Sequence, residues 1–333
     1  NSQFANAKVR QALSMAISRQ GLCATQLQDY ADPAVLPINP QPADTGVVGN
    51  KIRALHRAYP FLRVVPVGAS VLGYALPALV LEKGEETVVI AAAFHAQEWI
   101  TSLVTLRLCE ELCGALHSGE PLCELDIRRV CAGRRLVLLP LVNPDGVNIA
   151  LHGSAAAGKY APVVQRLGGD QPGLWQANVR GVDINHNFPA GWETLRRMEH
   201  EQGIAAPAPR QWGGPAPASE PETKALMALC RRLHPRHVVA LHTQGEEIYW
   251  HYGTRTPRRS RLMAQVMADA SGYTATAPTG LASHGGFKDW FIEETGRPGF
   301  TLELGRGVNP LPLSDFDAMY EKAREMLLLA AFM

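Results

Sequence analysis

The chain has 333 residues, 46% of them hydrophobic and 19% charged, with 30 Gly and 24 Pro. That composition excludes disordered, collagen-like and heptad-repeat chains and leaves room for one large α/β domain or two modest ones. Lys and Arg number 32 against 31 Asp and Glu, a formal charge of +1, so there is no broad basic face for nucleic acid.

Residues 1–45 read as an N-terminal extension, with an amphipathic helix pattern at 9–18 and a Pro/Asp-rich connector at 32–45. The stretch from Asn1 shows no signal-peptide pattern, and the missing initiator Met leaves room for an upstream segment. Residues 46–333 read as one catalytic-sized domain. A helix is expected over 51–59, strands over 62–67 and 77–81, and a strand apolar on both faces over 87–94. Residues 99–117 repeat apolar side chains every four positions, the mark of a helix. A second two-faced strand covers 135–142 and ends in a turn at Asn143-Pro144-Asp145-Gly146. A long region rich in Gly, Pro and aromatics follows to about 218. Beyond it a helix is expected near 220–233, a strand at 238–241, a helix near 259–271, a strand at 299–303 and a last helix at 315–332. Buried strands alternating with helices indicate an α/β fold: a mixed, mostly parallel twisted sheet of about eight strands with helices on both faces. In such sheets function gathers beyond the carboxyl ends of the strands. No apolar run approaches the ~20 residues that a membrane span needs.

Six cysteines are present, four of them between 109 and 131, and none forms a CxxC pair. They read as free structural thiols, with disulfides and then a metal site as the alternatives, and the even count does not fix the compartment. His95-Ala96-Gln97-Glu98 leaves the buried strand at 87–94, where a turn brings an imidazole and a carboxylate to one point. A second HxxE, His117 to Glu120, lies at a helix exit and carries no such context. A catalytic zinc needs three protein ligands and an open position, and His242, at the end of the strand 238–241, is the candidate third. Glu303 stands inside the apolar run Phe300-Thr301-Leu302-Glu303-Leu304, where an unpaired charge is costly. It is placed to deprotonate a water and to return the proton to a leaving nitrogen. Asp183 is a candidate acceptor for a ligand imidazole N–H.

The motifs HAQEWITS, NPDG, GVDINHNFP, LHTQG and FTLELG, in this order and spacing, resemble the zinc metallocarboxypeptidase family across about residues 46–333. More narrowly, HTQGEEIYW, GGFKDWFI and TLELGRGVNPLP resemble the bacterial γ-D-glutamyl-L-diamino-acid endopeptidases. The resemblance implies one Zn²⁺ per chain on His95, Glu98 and His242, with Glu303 as general base and Asp183 orienting the first histidine. It implies hydrolysis of the bond between γ-D-Glu and meso-diaminopimelate in peptidoglycan stem peptides; the alternative is a broad-specificity metallocarboxypeptidase. A binding module that has kept the fold without activity is the reading of a different class.

Substrate positions carry over less directly. The Asn-Arg pair with which digestive relatives hold a terminal carboxylate reads Asn185-His186 here, which weakens the carboxypeptidase alternative. The family's oxyanion-side arginine falls near Gln176, a donor without charge, and Arg180 is the nearby candidate cation. The residue at the base of the primed-side pocket falls on Lys288, where a cation suits a side chain bearing a carboxylate. The pocket tyrosine falls near Leu281, leaving His284 as a stand-in. Arg306 is a second candidate carboxylate clamp. The sequence leaves the oligomeric state open, and the compartment too, bacterial cytoplasm or cell wall and secreted.

Overall fold

Strands that are apolar on both faces need cover on both faces, and the chain supplies it. The structure is a computed structural model that describes residues 41–333 apart from 82, 83 and 172. The expected helix at 9–18, most of the connector at 32–45 and Cys23 lie outside the described residues. The chain from Pro42 onward forms one compact unit.

Eight strands make one sheet: β1 (Arg63–Ala69), β2 (Ala75–Leu81), β3 (Glu86–Ala92), β4 (Arg134–Leu139), β5 (His237–His242), β6 (Glu247–Tyr249), β7 (Thr274–Thr276) and β8 (Gly299–Glu303). Their order across the sheet is β1-β2-β4-β3-β5-β8-β6-β7. The central run β4-β3-β5-β8 is parallel throughout, β6 and β7 are parallel to each other, and antiparallel pairs join β1 to β2, β2 to β4 and β6 to β8. The expected mixed, mostly parallel sheet of eight strands is what forms.

Side-chain alternation divides the core. Val89, Ala91, Val137, Leu139, Val238 and Ala240 pack in one cluster with Leu226, Phe287, Trp290 and Phe291, so the helices Pro221–Leu233 and Phe287–Thr295 cover that face. The helices Ile100–Ser118 and Phe316–Phe332 touch each other and β3 on the opposite face. Burying strands on both sides is the condition for parallel pairing at the centre. The chain passes from β3 to β4 on one side and then crosses back to β5 on the other. That reversal opens a crevice at the carboxyl ends of β3 and β5.

Two expectations need correction. Asn143-Pro144-Asp145-Gly146 is no turn: it opens the helix Pro144–His152, with the Asn143 side-chain Oδ1 accepting from the Gly146 N–H at 2.9 Å. Asn at the cap and Pro in the first turn are helix-start chemistry. The helix expected at 51–59 begins earlier, at Thr45, because the Asp44 carboxylate caps it through the Val47 N–H at 2.8 Å. Strands β6 and β7, three residues each, and the helix Phe287–Thr295 are elements that periodicity did not reveal. Cys109, Cys113, Cys123 and Cys230 are free thiols. No helix among the described residues is long and apolar enough to cross a membrane.

Candidate active site and metal centre

The site is built where three parallel strands end side by side. Ala92 of β3 pairs with Leu241 of β5, and His242 of β5 pairs with Glu303 of β8. Beyond β3 the chain turns at Ala93, whose φ of 54° is left-handed. Such a residue costs roughly 1–2 kcal/mol. It is held by the Thr101 hydroxyl, which accepts from the Ala93 N–H at 2.9 Å. His95 then caps a 3₁₀ turn over Ala96–Glu98. With three residues per turn, side chains three apart eclipse, so the HxxE spacing stacks imidazole and carboxylate on one face. The second HxxE lies at the far end of the 19-residue helix Ile100–Ser118, about 27 Å along its axis. There His117 packs edge-on against Tyr59.

Three donors converge. His95 Nδ1 lies 2.8 Å from Glu98 Oε1, His242 Nδ1 lies 3.0 Å from Glu98 Oε2, and the two Nδ1 atoms are 3.2 Å apart. Around a tetrahedral zinc with ligand distances near 2.0–2.1 Å, donors sit about 3.3 Å from one another. The observed edges match that figure, and two imidazole nitrogens aimed at one carboxylate form a donor set suited to a divalent cation. His95 Nε2 donates to Asp183 Oδ1 at 3.1 Å, which leaves Nδ1 of the neutral ring with its lone pair toward the centre. Asp183 is itself fixed by the Asn185 N–H at 3.0 Å and the Gln211 N–H at 3.2 Å. Glu98 is steadied by the Thr243 N–H at 3.2 Å and the Asn309 side-chain amide at 3.4 Å. Phe94 stacks on His242, ring centroids 5.2 Å apart, and leans on Phe287 behind it.

Charge follows the geometry. Burial resists ionisation of Glu98, but His95 and His242 outweigh it and hold the carboxyl down at about 2. Burial also resists a charge on His95, yet Glu98 and Asp183 lift its proton affinity well above the ordinary imidazole range. His242 is pushed down by burial, which favours the neutral ring. The centre therefore attracts positive charge to the point its donors share. Glu303 behaves in the opposite sense. Burial raises it well above the carboxylate range, and like charge from Glu98 and Glu247 adds to the shift while His95 offsets part of it. No hydrogen-bond donor or ion-paired cation among the described residues holds its carboxylate. Arg306, the second candidate carboxylate clamp by sequence, is ion-paired with Glu246 at 2.7 Å.

The remaining candidates fall on two flanks. On one, the Asn185 side-chain Oδ1 accepts from the Phe287 N–H at 3.0 Å, and the buried Lys288 is ion-paired with Asp289 and bonded to the His251 carbonyl at 3.1 Å. His186 Nδ1 bonds Glu199 at 3.0 Å, and Glu199 is fully buried with Arg196 on its other oxygen. Leu281 is buried, and His284 lies 3.3 Å from the Tyr252 hydroxyl. On the other flank, Gln176 accepts the Ala96 N–H on its backbone carbonyl at 2.9 Å and Arg210 Nε on its side chain at 3.4 Å. Arg180 lies 3.6 Å from Glu220, away from Gln176's partners. Sequence reasoning missed Arg210, Glu199 and Asn309. Asn309 lay within a quoted motif; Glu199 lies on the buried face of the helix Trp192–Glu201, which the sequence reading passed over, and Arg210 in the connector beyond it.

Comparison with known proteins agrees with this geometry. Residues 48–326 match the zinc carboxypeptidase family. The chain is 37% identical over 292 residues to the gamma-D-glutamyl-L-diamino acid endopeptidase 1 of Lysinibacillus sphaericus, covering 87% of this chain and 72% of that protein. It is 29% identical over 231 residues to the murein peptide amidase A of Escherichia coli K12, covering 67% and 72%. Among solved structures, bovine thrombin-activatable fibrinolysis inhibitor aligns with a TM-score of 0.67 at 20% identity over 88% of this chain and 97% of that one. The murein-tripeptide amidase of Escherichia coli O157 aligns at 0.51 and 23% identity over 79% and 91%. These structural likenesses speak to the fold alone. With most of the chain inside the family match and a zinc-type donor set at the strand ends, the protein belongs to the zinc carboxypeptidase family.

Proposed function

We propose that the protein hydrolyses the γ-D-glutamyl–diamino acid bond of peptidoglycan stem peptides, with one zinc ion held by His95, Glu98 and His242. The observation that supports this reading is the register of β5 and β8, in which Glu303 pairs with His242, one of the three converging donors. The endopeptidase from Lysinibacillus sphaericus, alike over 87% of this chain, supports the substrate class. Residues 46–333 are then the catalytic domain and 1–45 an extension to it.

Zinc, when bound, supplies Lewis acidity that makes water a nucleophile near neutral pH and polarises a peptide carbonyl. The chain's own residues do the rest. Asp183 fixes the His95 ring so that Nδ1 faces the centre. Glu303, starved of partners, takes the proton of the attacking water on a carboxylate oxygen and returns it to the departing amine nitrogen. Asn185 and His186 line the leaving-group side, and Gln176 offers an amide donor to the developing oxyanion.

The test is incubation of the purified protein with L-Ala-γ-D-Glu-meso-diaminopimelate and with ordinary peptides. Release of diaminopimelate is expected from the first. Trimming of ordinary C-termini with the stem peptide left intact reverses the substrate assignment in favour of a broad metallocarboxypeptidase. Glu303→Gln should lower kcat by about 10²–10⁴-fold while zinc stays bound at one per chain. A protein that binds zinc but turns nothing over before mutation is a binding module instead.

A further inference from the structure

A stem peptide is an anion, and the site's loops carry few cations free to meet it. Lys288 is cancelled by Asp289, Arg180 faces Glu220, Arg196 is held by Glu199, and Arg306 is ion-paired with Glu246. Arg210 differs. It is exposed, no acid among the described residues pairs with it, and its one side-chain bond runs from Nε to the neutral side-chain amide oxygen of Gln176.

Its backbone is nevertheless fixed on both sides. The Pro209 carbonyl accepts from the Gln176 and Ala177 N–H groups at 2.8 and 2.9 Å. Gln211 donates its N–H to Asp183 Oδ2 at 3.2 Å, and the Trp212 carbonyl accepts from the Asp183 N–H at 2.7 Å. The run 209–212 is therefore tied to the residue that holds His95 and to the residue whose carbonyl holds Ala96. A guanidinium on an anchored backbone, braced through Nε, keeps both terminal amino groups for a planar anion.

We propose that Arg210, braced by Gln176, is the specificity-determining cation for a carboxylate on the acyl side of the scissile bond. The inference rests on the stem-peptide reading and deepens it. A γ-linked D-Glu leaves its α-carboxylate free, separated from the scissile carbonyl carbon by three carbons, about 5 Å when extended. Asn185, His186 and Lys288 belong to the flank built on the helix Phe287–Thr295. Gln176 and Arg210 belong to the flank joined to Ala96, and this second flank takes the acyl group. Arg210 then separates substrates with a free α-carboxylate from those in which it is amidated.

The experiment compares L-Ala-γ-D-Glu-meso-diaminopimelate with its D-isoglutamine counterpart. The unmodified protein should favour the free carboxylate by about 10–100-fold in kcat/KM, mostly through KM. Arg210→Met keeps the stem's packing and should collapse that ratio toward one; Arg210→Lys should restore part of it. Zinc content of each variant is measured alongside to exclude damage to the centre. A ratio that survives Arg210→Met, or a ratio near one before mutation, overturns the proposal. The same two peptides are titrated calorimetrically into Glu303→Gln protein with and without Arg210→Met. If neither peptide is cleaved, the substrate reading fails by itself, and the titration still decides: equal binding of acid and amide overturns the role of Arg210, whereas an Arg210-dependent preference for the acid upholds it.

Discussion

The metal centre and the Lys288 pocket both bury charge within one site, and they settle its cost in opposite ways. At the pocket, Lys288 and Asp289 are almost wholly buried and cancel each other. At the centre, Glu98 and Asp183 converge on His95 from either side, and the balance calls for added positive charge. A cancelled pair is a structural feature with little field left for a ligand; an unbalanced one is a binding site. This separates the two functions that sequence reasoning gave to buried charges here. The strand-end acids and imidazoles are poised for a cation. Lys288, assigned by resemblance to a substrate carboxylate, sits in a pair that a substrate would first have to break.

Removing a donor from the unbalanced region gives the largest effect. His242→Ala leaves two protein ligands, so zinc should be lost on dialysis and turnover should fall by at least about 10⁴-fold. Metal analysis with a kinetic assay at saturating zinc reads both, and activity restored by added zinc would place the third ligand elsewhere. The balanced region should respond in stability first. Lys288→Met strands the Asp289 carboxylate, at a cost of about 3–5 kcal/mol in urea unfolding, and the double change Lys288→Met with Asp289→Leu should recover most of it. Unchanged stability with a raised KM for diaminopimelate substrates would return Lys288 to substrate recognition. A smaller effect is expected one bond away from the donors. Asp183→Asn should weaken zinc binding about 10–100-fold in chelator competition, because the His95 ring loses its charged anchor.

These regions also differ in how visible they were in the sequence. His95, His242 and Glu303 stood out because each leaves, ends or interrupts an apolar strand, where a polar side chain requires a reason, and Glu98 because it stands three residues after His95. The parallel centre of the sheet followed from runs apolar on both faces. Arg210 lies in the connector between 174 and 218, whose path there is set by backbone bonds such as Asp183 to Trp212 that no local pattern announces, and Glu199 lies on the helix Trp192–Glu201 within it. Strands β6 and β7 are too short to show alternation. Asn143-Pro144 could have been read as a helix start, yet the same residues open turns as readily. Resemblance supplied residue roles, but the pairing of Lys288 with its own neighbour is a matter of side-chain direction, which only the fold decides.

Glu222 is a buried carboxylate of another kind, with neither a cation nor a metal cradle. Glu222, in the first turn of the helix Pro221–Leu233, is fully buried; Oε1 accepts from the Val71 N–H at 3.2 Å and Oε2 has no protein partner. Burial, with like charge from Asp145 and Glu220, pushes it up to about 8, against 4.5 for an ordinary Glu. Between those values the folded protein keeps a proton that the unfolded chain releases. Stability from this group is therefore complete below about pH 4.5 and declines as the pH rises through about 8. Gln mimics the protonated acid, so Glu222→Gln should abolish that decline. The unfolding free energy of the unmodified protein minus that of the variant should drop by up to about 1.4 kcal/mol per pH unit across the window. Urea melts of both proteins at about pH 5 and about pH 8 measure it. A difference independent of pH would mean that Glu222 is ionised in the fold, and that water reaches the loop at Val71.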